Sequence, residues 1–161
     1  TGACLRGYYI DTLGAAQFAA PSTIDLMRSY VSDDETVADV EALTLAATDP
    51  ANPFGAALPW PARITESKHR PARKAGSLVV MHDGHLVLYL ERGSKKVLVF
   101  DDEPARLAAA AESLAATVRT RRVHRLSVEM ADGVSVEGTP LGEALREAGF
   151  ERTPKGLRID A

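Results

Sequence analysis

Binding a polyanion takes fixed positive charge at a spacing that can meet successive phosphates, and one short stretch of this chain supplies it. Lys68, Arg70, Arg73 and Lys74 fall within the run Lys68-His69-Arg70-Pro71-Ala72-Arg73-Lys74, and Arg63 adds a fifth cation just upstream. Prolines in and before the run favour extended backbone, so the charges would stand along a constrained loop. The opposing reading is structural, with the loop solvated or its arginines paired with the acids between 33 and 41. Trp60, with Phe54 nearby, offers a ring on which a base of a single strand could stack. Asn52 is the sole asparagine and Gln17 the sole glutamine, so amide reading of base edges is nearly absent. Any contact with single-stranded DNA is expected at its backbone and should tolerate any sequence.

Other chemistries lack their parts. A nucleotide motor needs Gly-x-x-x-x-Gly-Lys followed by Ser or Thr to cradle phosphates, and the chain has no such run. Its histidines (His69, His82, His85 and His124) are scattered. His82-x-x-His85 straddles a turn, with Asp83 the only nearby acid, which reads as a solvated hairpin end. No serine sits in Gly-x-Ser-x-Gly, and Cys4 has no evident partner. No catalytic residue, metal ligand or cofactor is assigned to this stretch. A second basic group, Arg119, Arg121, Arg122, His124 and Arg125, follows an expected helix C-terminus, where the macrodipole favours positive charge anyway.

Several elements must position these residues. Arg6 to Ile10 is rich in strand formers, and a turn at Gly14 leads to Gln17-Phe18-Ala19, so a β-hairpin or wing is expected. A helix from about 23 to 31 follows, and acidic residues from 32 to 41 set a soft boundary near 33. Val40 to Ala47 suits a strand or the end of a helix. Pro50, Pro53, Pro59 and Pro61 then impose a long loop, ordered or disordered. Gly76 to Phe100 reads as a three-stranded antiparallel meander, turning at Asp83-Gly84 and Gly93-Ser94.

Asp102 can cap a helix with Leu107, Ala111, Leu114 and Val118 along one stripe. Val123 to Met130 and Val134 to Val136, joined by Asp132-Gly133, form another hairpin. Thr139 and Pro140 open a short helix that Gly149 ends, and Gly156 to Asp160 is a last strand. The expected class is α+β: an antiparallel, curved sheet able to close partly into a barrel, with two packed helices over residues 33–161.

At 161 residues the chain is near the usual size of one domain, with 45% hydrophobic and 25% charged residues. No stretch approaches the roughly 20 apolar residues of a membrane helix. The formal charge of -3 leaves nucleic-acid contact to local patches rather than a global field. A single cysteine fits a reducing cytoplasm. Thr1 is not a start methionine and no signal-peptide pattern follows it, so the sequence reads as a piece of a chain extending upstream.

Two stretches carry a family resemblance: Arg6-Gly7-Tyr8-Tyr9-Ile10 through Leu13-Gly14-Ala15-Ala16-Gln17-Phe18-Ala19, and Ala46 through Pro61 with Asn52-Pro53-Phe54-Gly55 and Leu58-Pro59-Trp60-Pro61 at its centre. Both resemble the C-terminal region of the large helicase-related (Lhr) ATP-dependent DNA helicases. His69-Arg70-Pro71, Tyr89-Leu90-Glu91-Arg92-Gly93 and the ending Ala148 to Arg158 extend the match over nearly the whole chain. The resemblance implies a superfamily 2 DNA repair helicase whose motor, with ATP and magnesium, lies far upstream. It implies winged helices followed by a β-barrel-like module, with residues 1–32 the end of a winged-helix unit. Implied partners are DNA, upstream winged-helix domains and sister subunits of a homo-oligomer.

The same architecture is similar to winged-helix DNA glycosylases, which makes base excision the rival function, with a purely structural oligomerisation module as the third reading. Their Gln-x-Gln pair cannot exist here, because Gln17 stands alone. A carboxylate such as Asp160 could act as base, although an acid near a chain end is more often exposed and inert.

Overall fold

Gln17 spends its whole amide on the first loop. Its Oε1 accepts from the backbone amides of Tyr9 (2.9 Å) and Ile10 (2.8 Å), and its Nε2 donates to the carbonyls of Ile10 and Gly14, both at 2.9 Å. This closes the hairpin of β1 (Leu5–Gly7) and β2 (Gln17–Ala19), paired antiparallel with Leu5 opposite Ala19; α1 (Pro21–Tyr30) follows. These elements belong to the first of two units, residues 1–39, in which Tyr8, Phe18 and Leu26 are exposed. The computed structural model describes residues 4–10, 13, 14, 16–30, 41–65 and 69–161. The expected boundary near 33, and the acids from 33 to 39, lie outside the described residues.

The second unit, residues 40–161, starts with β3 (Leu43–Ala46), then β4 (Leu78–His82), β5 (His85–Leu90) and β6 (Lys96–Val99). After them come α2 (Pro104–Arg119), β7 (Arg125–Val128), β8 (Met130–Ala131), β9 (Val134–Ser135), α3 (Pro140–Glu147), β10 (Glu151–Thr153) and β11 (Gly156–Asp160). The main sheet has the order β3-β4-β5-β6-β8-β9, antiparallel except where β8 runs parallel to β6; a smaller sheet has the order β10-β11-β7. Asp83 (φ 48°) and Gly84 (φ 74°) both take the left-handed backbone that a two-residue hairpin requires. Asp132 and Gly133 repeat the device between β8 and β9.

Strand β5 is buried on both faces. Leu88 pairs with Val80 and Leu86 with Met81, so Val87 has no partner on β4 and forms a bulge. The extra residue breaks strict alternation and puts Val87 and Leu88 in the same core, with Leu90, Val97 and the buried stripes of α2 and α3. Leu86 and Tyr89 face a second core with Val79, Leu98, Phe100, Ala47 and Phe54. Helix α2 approaches through Ala110, Ala111 and Ala115 between Leu107, Leu114 and Val118. Small side chains let the helix sit close to its neighbours. The Thr44 and Ser113 hydroxyls, 2.7 Å apart, tie β3 to it.

Three expectations need correction. The sheets do not close into a barrel among the described residues, because the main sheet ends at β3 and β9 and the smaller sheet is separate. The N-cap of α2 is Glu103, which makes no side-chain capping bond, with Pro104 starting the helix. Just before it, Asp101 accepts from the Glu103 amide and pairs with Arg106. Burial opposes the Asp101 charge, but the Glu103 amide and Arg106 outweigh it and hold the carboxyl below its ordinary value. Lastly, Val123 to Met130 is not one hairpin strand. The amides of Glu129 (2.8 Å) and Met130 (3.0 Å) both reach the Lys95 carbonyl, swinging the chain from β11 across to β6.

The Thr139 Oγ1 accepts from the Gly142 amide at 3.1 Å and caps α3 as expected. Gly142 is also a packing requirement, since a Cβ there would stand 2.1 Å from the Val136 carbonyl oxygen. Gly142→Ala should therefore lower stability by about 1–3 kcal/mol, despite alanine's better helix propensity. Urea unfolding checks it, and a variant as stable as wild type would contradict this packing.

Candidate nucleic-acid interface

The proline-rich segment is a packed layer. Four prolines deny it regular pairing, so its polar backbone groups must find partners elsewhere. Asn52 is buried; its Nδ2 donates to the Ala47 carbonyl at 2.9 Å and its Oδ1 accepts from the Phe54 amide at 3.1 Å. Arg73 completes the set. Its Nη1 donates to the carbonyls of Asn52 (2.7 Å) and Phe54 (3.3 Å), and its Nη2 to those of Thr48 (3.2 Å) and Asp49 (3.1 Å). Phe54 enters the second core. Half-buried Trp60 meets the Tyr89 ring edge-on, with centroids 5.6 Å apart, and lies so close over Gly55 that a Cβ there would collide with its indole. Tyr89 in turn donates through its hydroxyl to the Ala72 carbonyl at 3.1 Å.

The structure thus divides the expected binding residues. Arg63 donates from Nη2 to Asp132 Oδ1 at 2.8 Å and from Nη1 to the His69 carbonyl at 2.7 Å, and both side chains of the ion pair are 13% exposed. The pair bridges 69 positions of sequence and ties the loop to the turn between β8 and β9. Arg63 and Arg73 therefore hold backbone in place, while Arg70 and Lys74 are exposed. Lys68 lies outside the described residues. Among the described residues, no carboxylate lies within ion-pair distance of Arg70 or Lys74. Sequence reading passed over Arg92, whose stem rests against Gly76 (3.1 Å from the position of a Cβ), and Lys96, whose Nζ is 3.0 Å from His69 Nε2. The signal was the register: Leu78 opposite Leu90 brings residue 76 beside residue 92.

The second basic group is partly structural. Arg119, in the last turn of α2, pairs with Glu112 and donates to the Ala148 carbonyl at 2.7 Å, so it satisfies the C-terminus of α3. Arg125 pairs with Asp160 at 2.9 Å, whereas Arg121 and Arg122 are exposed. His82 and His85 face each other across the Asp83-Gly84 turn. Among the described residues, no three His, Cys, Asp or Glu side chains converge as metal ligands. An apolar cleft of about 280 Å³, lined in part by Ile64, Val99, Leu107, Val134 and Leu141, and a polar groove of about 440 Å³ along α3 lie on this unit. Asp160 lines neither.

This division has a measurable consequence. Arg73→Ala should cost about 2 kcal/mol or more, by leaving backbone carbonyls without their charged donor, and Arg63→Ala roughly 3 kcal/mol, by stranding Asp132. Arg70→Ala should stay within about 0.5 kcal/mol of wild type. Chemical denaturation of the three variants checks the ranking, and equal losses would contradict it.

Residues 1–39 match the family described as large helicase-related protein, winged-helix domain. Over 167 aligned positions the chain is 47% identical to the "Lhr helicase/ probable uracil glycosylase" of Mycolicibacterium smegmatis, covering 98% of this chain and 11% of that protein. It is 37% identical over 158 positions to the "Lhr helicase/uracil glycosylase" of Escherichia coli, covering 98% of this chain and 10% of that protein. The chain thus spans about a tenth of the length of these relatives. No helix among the described residues is long and apolar enough to cross a membrane. A mixed α+β unit beside a winged-helix match, with likeness along almost the whole sequence, means that this chain belongs to the large helicase-related (Lhr) family and corresponds to its C-terminal region.

Proposed function

We propose that this chain is an accessory region of a DNA-processing, ATP-dependent repair helicase and that it supports DNA engagement without supplying the motor. The observation carrying this reading is the match of nearly the whole chain to one-tenth segments of proteins named Lhr helicases, in a sequence with no phosphate-cradling loop. ATP and magnesium belong to the motor of the longer protein, which acts in the cytoplasm. The winged-helix unit and the exposed cations Arg70 and Lys74 would hold single-stranded DNA by its backbone. Other winged-helix domains and sister subunits are the further partners. A labelled single strand titrated with the full chain should give a Kd of about 1–100 µM at physiological salt, as for sequence-tolerant phosphate binding, and bind more tightly as salt falls. No change in anisotropy at low salt would remove the DNA role.

A second reading, uracil excision, is favoured by the names of both relatives. Asp160 is its candidate carboxylate, 45% exposed and held by the Nε atoms of Arg125 (2.9 Å) and Arg158 (2.7 Å). An ionised carboxylate can stabilise the positive charge that develops on a sugar as its base departs. Incubating the chain with a uracil-containing strand, followed by alkaline cleavage, decides between the readings. Abasic product that disappears with Asp160→Asn establishes excision, and absence of product beside a working control retires it.

A further inference from the structure

Four cations outside the structural network gather at one end of the main sheet. Arg70 and Lys74 come from the loop entering β4, Arg92 from the turn joining β5 to β6, and Lys96 from the first position of β6. Pairing of Leu78 with Leu90, and of Leu90 with Val97, brings the two segments side by side. The turn is held tightly: the Glu91 amide donates to the Lys96 carbonyl at 3.0 Å, and the Ser94 amide to the Glu91 carbonyl at 2.7 Å. On the other segment the Ser77 amide donates to the Lys74 carbonyl at 3.1 Å, and Gly76, at φ 83°, leaves room for the Arg92 stem. Lys96 donates to His69 Nε2, since an ammonium can only donate. That contact places Lys96 beside the residue preceding Arg70.

Neighbouring charges leave this group cationic. Lys95, in the same turn, is paired with Glu129 at 3.2 Å. Glu91 is the adjacent acid, yet among the described residues no carboxylate comes within 4.0 Å of Arg70, Lys74, Arg92 or Lys96. In a chain of net charge -3, four such cations on two braced segments form a local field that a flexible, evenly charged polymer can meet. We propose that Arg70, Lys74, Arg92 and Lys96 form one phosphodiester-binding surface for the backbone of a nucleic-acid strand, with Arg63 and Arg73 beneath it as positioning residues. This rests on the DNA-engaging reading above and adds Arg92 and Lys96 to it.

The test is a salt titration of strand binding by the full chain, comparing wild type with R70Q/K74Q/R92Q/K96Q. A control of equal charge change, R121Q/R122Q/R146Q/K155Q, removes exposed cations elsewhere. Each lost contact should reduce the slope of log K against log salt by about 0.7 for a single strand, so the first variant should lose roughly 3 and the control little. Melting curves verify folding, and if the quadruple variant melts early the pairs R70Q/K74Q and R92Q/K96Q carry the same comparison. An unchanged slope, or an equal loss in the control, overturns this surface while wild-type binding still upholds the DNA reading. Absence of wild-type binding overturns both. Binding to phosphatidylserine vesicles but not to strands also overturns the nucleic-acid assignment.

Discussion

Everything in the second unit depends on a strand that is buried from both sides. Strand β5 alternates its side chains between two cores, and the bulge at Val87 lets two successive residues serve the core under α2 and α3. A strand in that position needs a cover on each face. One face has a helix with an alanine-rich stripe, which is ordinary. The other has a proline-rich segment with almost no regular pairing of its own, and such a segment can serve as a cover only if side chains satisfy its backbone. Asn52 and Arg73 do that, and Phe54 and Trp60 supply the apolar contact.

That requirement governs where positive charge can act. A guanidinium donating to four carbonyls has little left for a phosphate, and Arg63, largely buried against Asp132, is similarly engaged. The basic run read as a row of equivalent phosphate contacts is therefore two populations. Cations that point into the layer hold it, and those that point outward remain for a partner. At the far end of α2 Arg119 is likewise engaged, donating to the Ala148 carbonyl that ends α3, while Arg121 and Arg122 face solvent.

Much of the fold was legible because it is local. Asp83-Gly84 and Gly93-Ser94 mark turns by backbone chemistry alone, the stripe from Leu107 to Val118 follows helical spacing, and Thr139-Pro140 announces a helix start. What escaped is non-local. Nothing near Glu129 says that the chain leaves one sheet for another there, since the event is set by the distant Lys95 carbonyl. The proline-rich segment reads equally well as ordered or disordered until its acceptors meet Arg73, more than 19 residues away for most of them. Arg92 and Lys96 join the candidate surface only through strand register, and Arg63 finds Asp132 only once both sheets are built. The family resemblance came from long motifs, and the same motifs include the Asn52-Pro53-Phe54 core of the cover.

The central claim is that residues 47–60 form a locked second layer over β5. Amide hydrogen exchange tests it most directly, read at Asn52, Phe54, Gly55 and Leu58, whose amides donate within that layer. The account predicts strong protection of these amides in the wild-type chain and its selective loss in Arg73→Ala, with amides of β5 still protected. Exchange of the same amides at unprotected rates in the wild type would contradict it.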